Sequence, residues 1–307
     1  MTKARGDSDS LGVWGQPPTE LTRAAEGARQ FSPVALSSER PEDVLDEQLN
    51  GFIVVAPAGA LERRYALAQA LRVLRTGGEL IALAPRRLGG LRLRPELESF
   101  GCRVVEDARR HHRICRTKRP AQPIGLETAI SDGGPQFVEA LGLWSQPGIF
   151  SWDRLDPGTK MLGATLSGLA GRGADLGCGV GALGRALLAS PQVTELTLVD
   201  IDRRAIDAAR RNIEDPRARF VRADVGDLAG RDLDFVVANP PFHRDGRADL
   251  ALGQAFIRAA ARALRRGGAC RLVANRTLPY ETAIAACFSK SRSLGEERGY
   301  KVLEALR

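Results

Sequence analysis

One glycine-rich stretch decides the fold: Gly173-Ala174-Asp175-Leu176-Gly177-Cys178-Gly179-Val180-Gly181-Ala182-Leu183-Gly184. It predicts a short strand, a turn with glycines at 177, 179 and 181, and a helix over 182–189. Glycine lets the backbone approach a ligand without a Cβ in the way, and a helix N-terminus offers free N–H groups. The stretch therefore indicates a cofactor-binding turn in an α/β domain.

Two cofactors are compatible with this turn. Read as Gly179-x-Gly181-x-x-Gly184, it has the dinucleotide spacing, and Asp200 follows 21 residues after Gly179 at the end of an apolar strand. Read as Asp175-x-Gly177-x-Gly179-x-Gly181, it resembles motif I of the class I methyltransferases, which bind S-adenosylmethionine (SAM). In either case the Asp200 carboxylate is expected to accept hydrogen bonds from ribose hydroxyls. The glycine pattern favours SAM without excluding NAD.

Two later strand ends also favour SAM. The strand 219–223 ends at Asp224, which can accept the adenine amino group or, alternatively, cap the following turn. The strand 234–238 ends in the tetrad Asn239-Pro240-Pro241-Phe242, which is typical of enzymes that methylate a planar exocyclic or amide nitrogen. The tetrad predicts a methyltransferase and places its catalytic residues at 239–242, with Asn239 also close to the cofactor.

The tetrad suits this chemistry because the lone pair of an amino group on a purine is delocalised into the ring. Two acceptors placed on its hydrogens, the Asn239 side-chain oxygen and the Pro240 carbonyl, can draw the nitrogen toward a tetrahedral geometry. Proline has a fixed φ and no N–H, so the turn is rigid and its carbonyl is exposed. Phe242 offers a face on which a base can stack. Alignment of nitrogen, methyl carbon and sulfur then carries most of the rate.

A second α/β unit is indicated upstream. The apolar run 52–57, a helical stretch and the Gly77-Gly78 turn before another apolar run are repeated at 235–240 and Gly267-Gly268. Apolar strands alternating with helices imply parallel sheets covered on both faces, and the echo indicates a duplicated domain. The first copy lacks the asparagine and the glycine-rich turn, so only the second copy is expected to bind a cofactor.

Composition and charge limit the functional classes. The 307 residues are 43% hydrophobic and 27% charged, which indicates a folded protein of about two domains. No apolar run is long enough to cross a membrane, the first ten residues lack a secretion signal, and the five cysteines form no CxxC pair. We expect a soluble, cytoplasmic protein with no metal site.

The charge distribution points to a polyanionic partner. The net charge is +8, and residues 86–119 contain eleven basic and four acidic side chains. The arginine fork suits phosphates, so an excess of this kind is typical of nucleic-acid binding. An arginine-rich codon bias would produce a similar composition.

Several stretches together carry a family resemblance: residues 147–159, the glycine turn, Asn239-Pro240-Pro241-Phe242-His243, residues 273–281 and residues 300–305. They resemble the ribosomal RNA guanine-N2 methyltransferases of the RsmC type, in the methyltransferase small domain group. The likeness is strong over 147–307 and weaker over 31–125.

The resemblance implies two tandem Rossmann-like class I methyltransferase domains, the N-terminal one degenerate and the C-terminal one SAM-binding. We expect a polar arm at 1–30, a degenerate domain for RNA docking at 31–125, a linker at 126–146 and the catalytic domain at 147–307. The implied reaction is methylation of a guanine N2 in small-subunit (16S) rRNA, on naked RNA or the 30S subunit, by a chain that we expect to be monomeric. Phe242, His243 and Arg276 are the candidate substrate contacts.

Three alternatives stay open at this point. The same tetrad serves adenine-N6 and protein-glutamine methyltransferases, although the basic first half favours RNA. A non-catalytic ribosome-assembly factor with a relic fold should have lost the glycine turn or the tetrad, which the second half retains. NAD-dependent oxidoreduction needs a hydride-transfer acid or base that the sequence does not provide.

Overall fold

The computed structural model describes residues 11–24, 26–227, 232–241, 243–244, 247–248 and 250–307, with the backbone alone at 243–244 and 247–248. It divides the chain into two compact units, Met1–Pro135 and Gln136–Arg307. Each unit has its own sheet and its own hydrophobic core. The expectation of two α/β domains is confirmed.

The first unit is a six-stranded mixed sheet in the order β2-β1-β3-β4-β6-β5. Its elements are β1 (Leu11–Trp14), β2 (Arg29–Gln30), β3 (Leu49–Val55), α1 (Ala60–Val73), β4 (Leu74–Pro85), α2 (Leu91–Ser99), β5 (Val105–Arg109), β6 (His112–Lys118) and α3 (Leu126–Gly133). The first four strands in this order are parallel, and β6 runs antiparallel to both β4 and β5.

Two segments differ from the expected boundaries. Residues 11–14 and 29–30 of the predicted arm belong to the sheet, because β1 lies between β2 and β3 and buries Val13 and Trp14. Residues 1–10 of that arm lie outside the described residues. The segment 126–146, predicted as a linker, contains regular elements of both units. It contains α3, which buries Ala129 in the core of the first unit, and a hairpin that begins the second unit. In both places a short apolar run lies between polar and proline-rich stretches, so its sequence pattern gives only a weak signal for a strand or a helix.

The second unit is a seven-stranded sheet in the order β11-β10-β9-β12-β15-β17-β16. Its elements are β7 (Gln136–Val138), β8 (Leu143–Ser145), α4 (Pro157–Gly163), β9 (Gly171–Leu176), α5 (Ala182–Leu188), β10 (Val193–Asp200), α6 (Arg203–Asn212), β11 (Ala218–Arg222), β12 (Leu233–Ala238), β13 (His243–Arg244), β14 (Arg247–Ala248), α7 (Leu250–Ala263), β15 (Leu264–Asn275), α8 (Glu281–Cys287), β16 (Lys290–Glu297) and β17 (Tyr300–Leu306). Strands β7–β8 and β13–β14 form separate hairpins.

Strand β12 shows why the sheet is buried on both faces. Phe235 and Val237 belong to one apolar cluster, and Val236 and Ala238 belong to another. Successive side chains of a strand point to opposite faces, so helices cover both sides, as the continuous apolar run predicts. In the part of the chain that the structure describes, no helix combines the length and the hydropathy that crossing a bilayer requires.

The two units repeat one topology. Strands β2-β1-β3-β4-β6-β5 follow the same order as β10-β9-β12-β15-β17-β16, and the second unit adds β11 at one edge. The register is interrupted at the same place in both units, where Leu49 pairs with Leu74 and Leu233 pairs with Leu264. The strand register aligns the two units with an offset of one residue from the sequence repeat of 52–57 and 235–240. Val55, rather than Ala56, therefore corresponds to Asn239.

In the first unit, a side chain occupies the backbone of the turn that corresponds to the glycine turn of the second unit. Gly15 corresponds to Gly177 by strand register, and both have positive φ. After Gly15, however, the chain continues Gln16-Pro17-Pro18 instead of with glycines. The Gln30 side chain accepts hydrogen bonds from the N–H groups of Gly15, Phe31 and Ser32 and donates one to the Gly15 carbonyl. Protein groups thus satisfy the backbone there, as expected for a degenerate copy.

Candidate active site

A cavity of about 640 Å³ opens at the carboxyl end of the second sheet. Parallel α/β sheets bind ligands at this edge, and the volume falls within the usual range of roughly 300–1,000 Å³ for ligand pockets. The cavity brings together seven of the predicted site residues: Gly177, Gly179, Asp200, Asp224, Asn239, Pro240 and Pro241. Asp175, Gly181 and Arg276 lie outside its lining.

The glycine turn presents bare backbone to the cavity. Gly177 and Gly179 both have positive φ, which disfavours a side chain, and a Cβ on Gly179 would meet no atom within 4 Å. The N–H of Gly177 donates to the Val199 carbonyl at 2.8 Å, and the N–H of Gly179 donates to Asp200 Oδ2 at 2.9 Å. These bonds fasten the turn to the end of β10 and leave open space above Gly179.

Gly181 has a packing role in this structure. It caps α5 with φ of 85°, and a Cβ there would lie 3.2 Å from the Cβ of Ala209 on α6. The glycine therefore permits close contact between α6 and the start of α5. It shapes the cofactor turn without lining the cavity.

Asp175 is fully buried on β9 beneath the turn. Neither oxygen of its carboxylate has a hydrogen-bond partner among the described residues. The nearby backbone of Gly184 lowers its pKa, but other effects on the pKa are larger. Burial, reinforced by the charge of Asp200, raises the pKa of Asp175 to about 7. Burial therefore favours the neutral form of this carboxyl group below about pH 7, and Asp175 lies under the turn without lining the cavity.

Asp200 and Asp224 reach the cavity from neighbouring strand ends. Asp200 accepts hydrogen bonds from the Gly179 and Asp202 N–H groups. Burial raises the pKa of Asp200 to about 6, and this effect is larger than the lowering by the hydrogen bonds from the Gly179 and Asp202 N–H groups. Asp224 Oδ1 accepts from the Gly226 N–H at 2.7 Å, so this carboxylate caps the following turn while it lines the cavity. The capping role considered for Asp224 is observed, and its contact with adenine stays a prediction.

The charge of the cavity fits a cationic cofactor. Among the described residues, four aspartates line it, at positions 156, 200, 202 and 224, against a single arginine, Arg154. The Arg204 guanidinium neutralises Asp202 at 2.7 Å, and Arg154 is exposed and paired with Asp153. The remaining acids attract the sulfonium and ammonium groups of SAM and oppose a pyrophosphate. The residues present therefore fit SAM better than NAD.

The tetrad is only partly within the described structure. Asn239, Pro240 and Pro241 follow β12 and line the cavity beside the glycine turn. Phe242 lies outside the described residues, and His243 is described by its backbone in β13 alone. Arg276 is exposed after β15, where its N–H donates to the Gly299 carbonyl at 2.7 Å. The substrate contacts proposed for these three side chains stay predictions.

The Asn239 side chain is held in one orientation. Its Nδ2 donates to Asp156 Oδ2 at 3.0 Å and to Thr159 Oγ1 at 2.8 Å. Its Oδ1 is buried and has no hydrogen-bond partner among the described residues. A buried carbonyl oxygen without a partner is costly, and this one belongs to a residue that lines the cavity. Asn239 thus carries an acceptor that no described residue uses, and its contact with a substrate amine stays a prediction.

Asp156 and Thr159 were not among the residues predicted for the site. Both lie in the segment 147–159, at the start of α4, and both line the cavity. The sequence Asp156-Pro157-Gly158-Thr159 carries a helix-start signal, an N-cap aspartate followed by proline. That signal locates the helix but does not indicate a contact with a residue 83 positions away.

No metal centre is found in the described ranges, since no three His, Cys, Asp or Glu side chains there are arranged to hold an ion. The five cysteines are free thiols, four of them buried.

Comparison with a known family covers most of the second unit. The methyltransferase small domain matches residues 140–304. This range contains the cavity, the glycine turn and the tetrad together.

Curated relatives extend the likeness into the first unit. The Ribosomal RNA small subunit methyltransferase C of Pseudomonas aeruginosa (strain LESB58) is 33% identical over 237 residues, covering 75% of this chain and 71% of that protein. The protein of the same name from Stutzerimonas stutzeri (strain A1501) is 32% identical over 314 residues, covering 95% and 93%.

A solved structure shares the whole fold. The T. thermophilus 16S rRNA N2 G1207 methyltransferase (RsmC), in complex with AdoMet and guanosine, has a TM-score of 0.77 and 24% sequence identity, with 100% of this chain and 90% of that chain covered. At that identity the likeness concerns the fold.

The raised pKa of Asp175 predicts a pH-dependent stability. A folded-state pKa of about 7 means that the folded chain keeps a proton that the unfolded chain releases near its ordinary pKa of about 4. The free energy of unfolding should therefore fall as pH rises from about 4 to about 7. Asp175→Asn removes this titration, so its stability relative to the unsubstituted chain should increase by about 2 kcal/mol between pH 5 and pH 7.5.

Urea unfolding at the two pH values measures this difference. Asp153→Asn, on a side chain that is 44% exposed, is the matched control and should show a much smaller pH effect. A stability difference for Asp175→Asn that stays constant with pH would contradict the prediction.

Proposed function

We propose a substrate for this chain. The chain belongs to the methyltransferase small domain family and, within it, to the ribosomal RNA small subunit methyltransferase C proteins. The chain is a SAM-dependent methyltransferase. The proposed reaction is transfer of a methyl group to the exocyclic N2 amine of a guanine in 16S rRNA, as naked RNA or within the 30S subunit. The observation that carries it is the buried, unpaired Oδ1 of Asn239 in an acidic cofactor cavity.

Two likenesses support this target, the first for the rRNA and the second for guanine. The relatives that span most of this chain are named for methylation of small-subunit rRNA. The T. thermophilus protein of the same fold is an N2 methyltransferase solved with AdoMet and guanosine. We transfer these properties to this chain as part of the proposal.

The cofactor is assigned to residues on three strand ends. Gly177 and Gly179 would bind the methionine part through bare backbone, Gly181 shapes that turn, and Asp200 would accept the ribose hydroxyls. Asp224 would accept the adenine amino group, since its second oxygen is not used by the Gly226 N–H. Bound there, SAM supplies an electrophilic methyl group on a sulfonium.

The tetrad would prepare the nucleophile. Asn239 Oδ1 and the Pro240 carbonyl accept hydrogen bonds from the two hydrogens of the guanine amine, which draws its lone pair out of the ring. Because the amine loses a proton only after the methyl group has transferred, no strong base is needed. Water or the RNA phosphate can then take that proton. Rigid positioning of the amine supplies the remaining rate enhancement.

We assign base stacking to Phe242 and further RNA contacts to His243 and Arg276. Arg276 is exposed, as an RNA contact requires. The chain would act in the cytoplasm, where ribosomal subunits are made, and as a monomer.

The first unit would dock the RNA. Seven basic side chains in residues 86–119 form no ion pair within the described structure: Arg86, Arg87, Arg92, Arg103, Arg109, Arg116 and Lys118. Three of them, Arg103, Arg116 and Lys118, line a cavity of about 570 Å³ formed with β4 and β6. Glu79 is the single acid in that lining. We call these three residues the basic cluster and assign it to RNA phosphates.

Transfer of labelled methyl groups tests the reaction. Naked rRNA, purified 30S subunits and total protein are incubated with labelled SAM and the enzyme, and labelled RNA is digested to nucleosides for mass spectrometry. We expect label in rRNA or 30S subunits as N2-methylguanosine. Asn239→Ala should reduce kcat by about 100-fold or more, because the acceptor for the amine is lost, while SAM binding is retained by the glycine turn, Asp200 and Asp224.

Label in adenine, or in protein alone, would overturn the proposed substrate. Retained turnover in Asn239→Ala would overturn the role of the amide.

The salt dependence of RNA binding tests the docking surface. Each phosphate contact contributes about 0.7–0.9 to the slope of log affinity against log salt. Replacing the three residues of the basic cluster by alanine should lower that slope by roughly two, measured by fluorescence anisotropy with an rRNA fragment.

Arg94→Ala is the matched control for this test. Arg94 is an exposed arginine of the same segment, but Glu98 already pairs with it at 2.8 Å, so the slope should hardly change. An unchanged slope in the triple variant would place RNA docking elsewhere.

A further inference from the structure

We propose that Asp156 is a positioning residue for methyl transfer: it fixes the rotation of the Asn239 amide so that oxygen, rather than nitrogen, faces the reacting amine. The inference deepens the proposed function and rests on it. It concerns a residue that acts through Asn239 and does not itself touch the substrate.

An asparagine side chain has two ends of nearly equal size and opposite hydrogen-bonding character. Rotation by half a turn would replace the Oδ1 acceptor of Asn239 with an NH₂ donor. That donor would oppose the hydrogens of a guanine amine, and the lone pair would stay in the ring. The tetrad therefore works only if something outside it selects one rotation.

Asp156 makes this selection because an ionised carboxylate only accepts hydrogen bonds. Its Oδ2 lies 3.0 Å from Asn239 Nδ2, so the rotated amide would place oxygen against oxygen. Thr159 Oγ1, at 2.8 Å from the same nitrogen, takes its second hydrogen. Both N–H groups of the amide are used, and Oδ1 is left free.

The carboxylate of Asp156 is itself held in place. It is 5% exposed and caps α4 by accepting from the Thr159 N–H at 2.8 Å. The Tyr300 hydroxyl donates to Oδ1 from the first residue of β17, at 3.4 Å. The Tyr300 ring packs on the backbone of Gly158, where a Cβ would lie 2.9 Å from it. A buried acceptor held by Thr159 and Tyr300 cannot follow a rotation of the amide.

Exchange of the two side chains tests the assignment directly. Asp156→Asn keeps the helix cap, because asparagine caps as well as aspartate, but its amide can accept from or donate to Asn239. The rotation is then no longer enforced, and we expect kcat to fall about tenfold with the KM for SAM unchanged. Asn239→Asp sets two carboxylates against each other and should be nearly inactive.

The double variant Asp156→Asn/Asn239→Asp carries the diagnostic result. The amide introduced at 156 can donate to one oxygen of the carboxylate at 239 and leave the other as an acceptor for the amine. Activity should recover at least about tenfold over Asn239→Asp. A residue that only caps a helix would give no such recovery. Asp153→Asn, which removes an exposed charge from the same segment, is the matched control and should retain full activity.

The outcomes separate the positioning role from the substrate. If the unsubstituted chain methylates RNA while Asp156→Asn keeps full kcat, or the double variant shows no recovery, the inference is overturned and the proposed function stands. If the unsubstituted chain labels no RNA, the proposed substrate fails. The unsubstituted chain, the two single variants at 156 and 239 and the double variant are then compared by thermal unfolding. The inference requires the double variant to be more stable than Asn239→Asp, and equal stability overturns the inference.

Discussion

The hydrogen bond between Asp156 and Asn239 is the contact on which the proposed chemistry of this site depends. It joins the start of α4 to the end of β12, across 83 residues of sequence. The bond is strong because one partner is a buried carboxylate, and it is directional because that carboxylate can only accept. It turns a flexible amide into an acceptor of fixed position, which is what polarisation of a weakly nucleophilic amine demands.

The same architecture occurs twice in the chain with opposite outcomes. In the second unit, the glycine turn leaves bare backbone above Gly179, and Asp200 and Asp224 line the cavity from neighbouring strand ends. In the first, Val13 and Val55 occupy the positions of Asp175 and Asn239, and Gln30 saturates the backbone of the turn. A few substitutions at strand ends thus remove the cofactor site while the sheet order is kept, which leaves the first unit free to carry the basic cluster.

The sequence was sufficient to predict the fold class and most of the cavity wall, and the reason is geometric. The predicted residues at 177, 179, 200, 224 and 239–241 all follow parallel strands of one mixed sheet, and the carboxyl ends of these strands meet at one edge. Strand β1 was missed because four residues between polar stretches carry too little periodicity. The pairing of Asp156 with Asn239 was missed because a tertiary hydrogen bond leaves no local pattern, and the packing role of Gly181 depends on Ala209, which is likewise remote in sequence.

A crystal structure of the chain with S-adenosylhomocysteine and a guanine-containing oligonucleotide would show directly which end of the Asn239 amide faces the base. We expect the exocyclic amine of guanine to lie within about 3.2 Å of both Asn239 Oδ1 and the Pro240 carbonyl, with Asn239 Nδ2 still bonded to Asp156. An amine placed elsewhere in the cavity, or an amide whose nitrogen faces the base, would contradict the proposed chemistry.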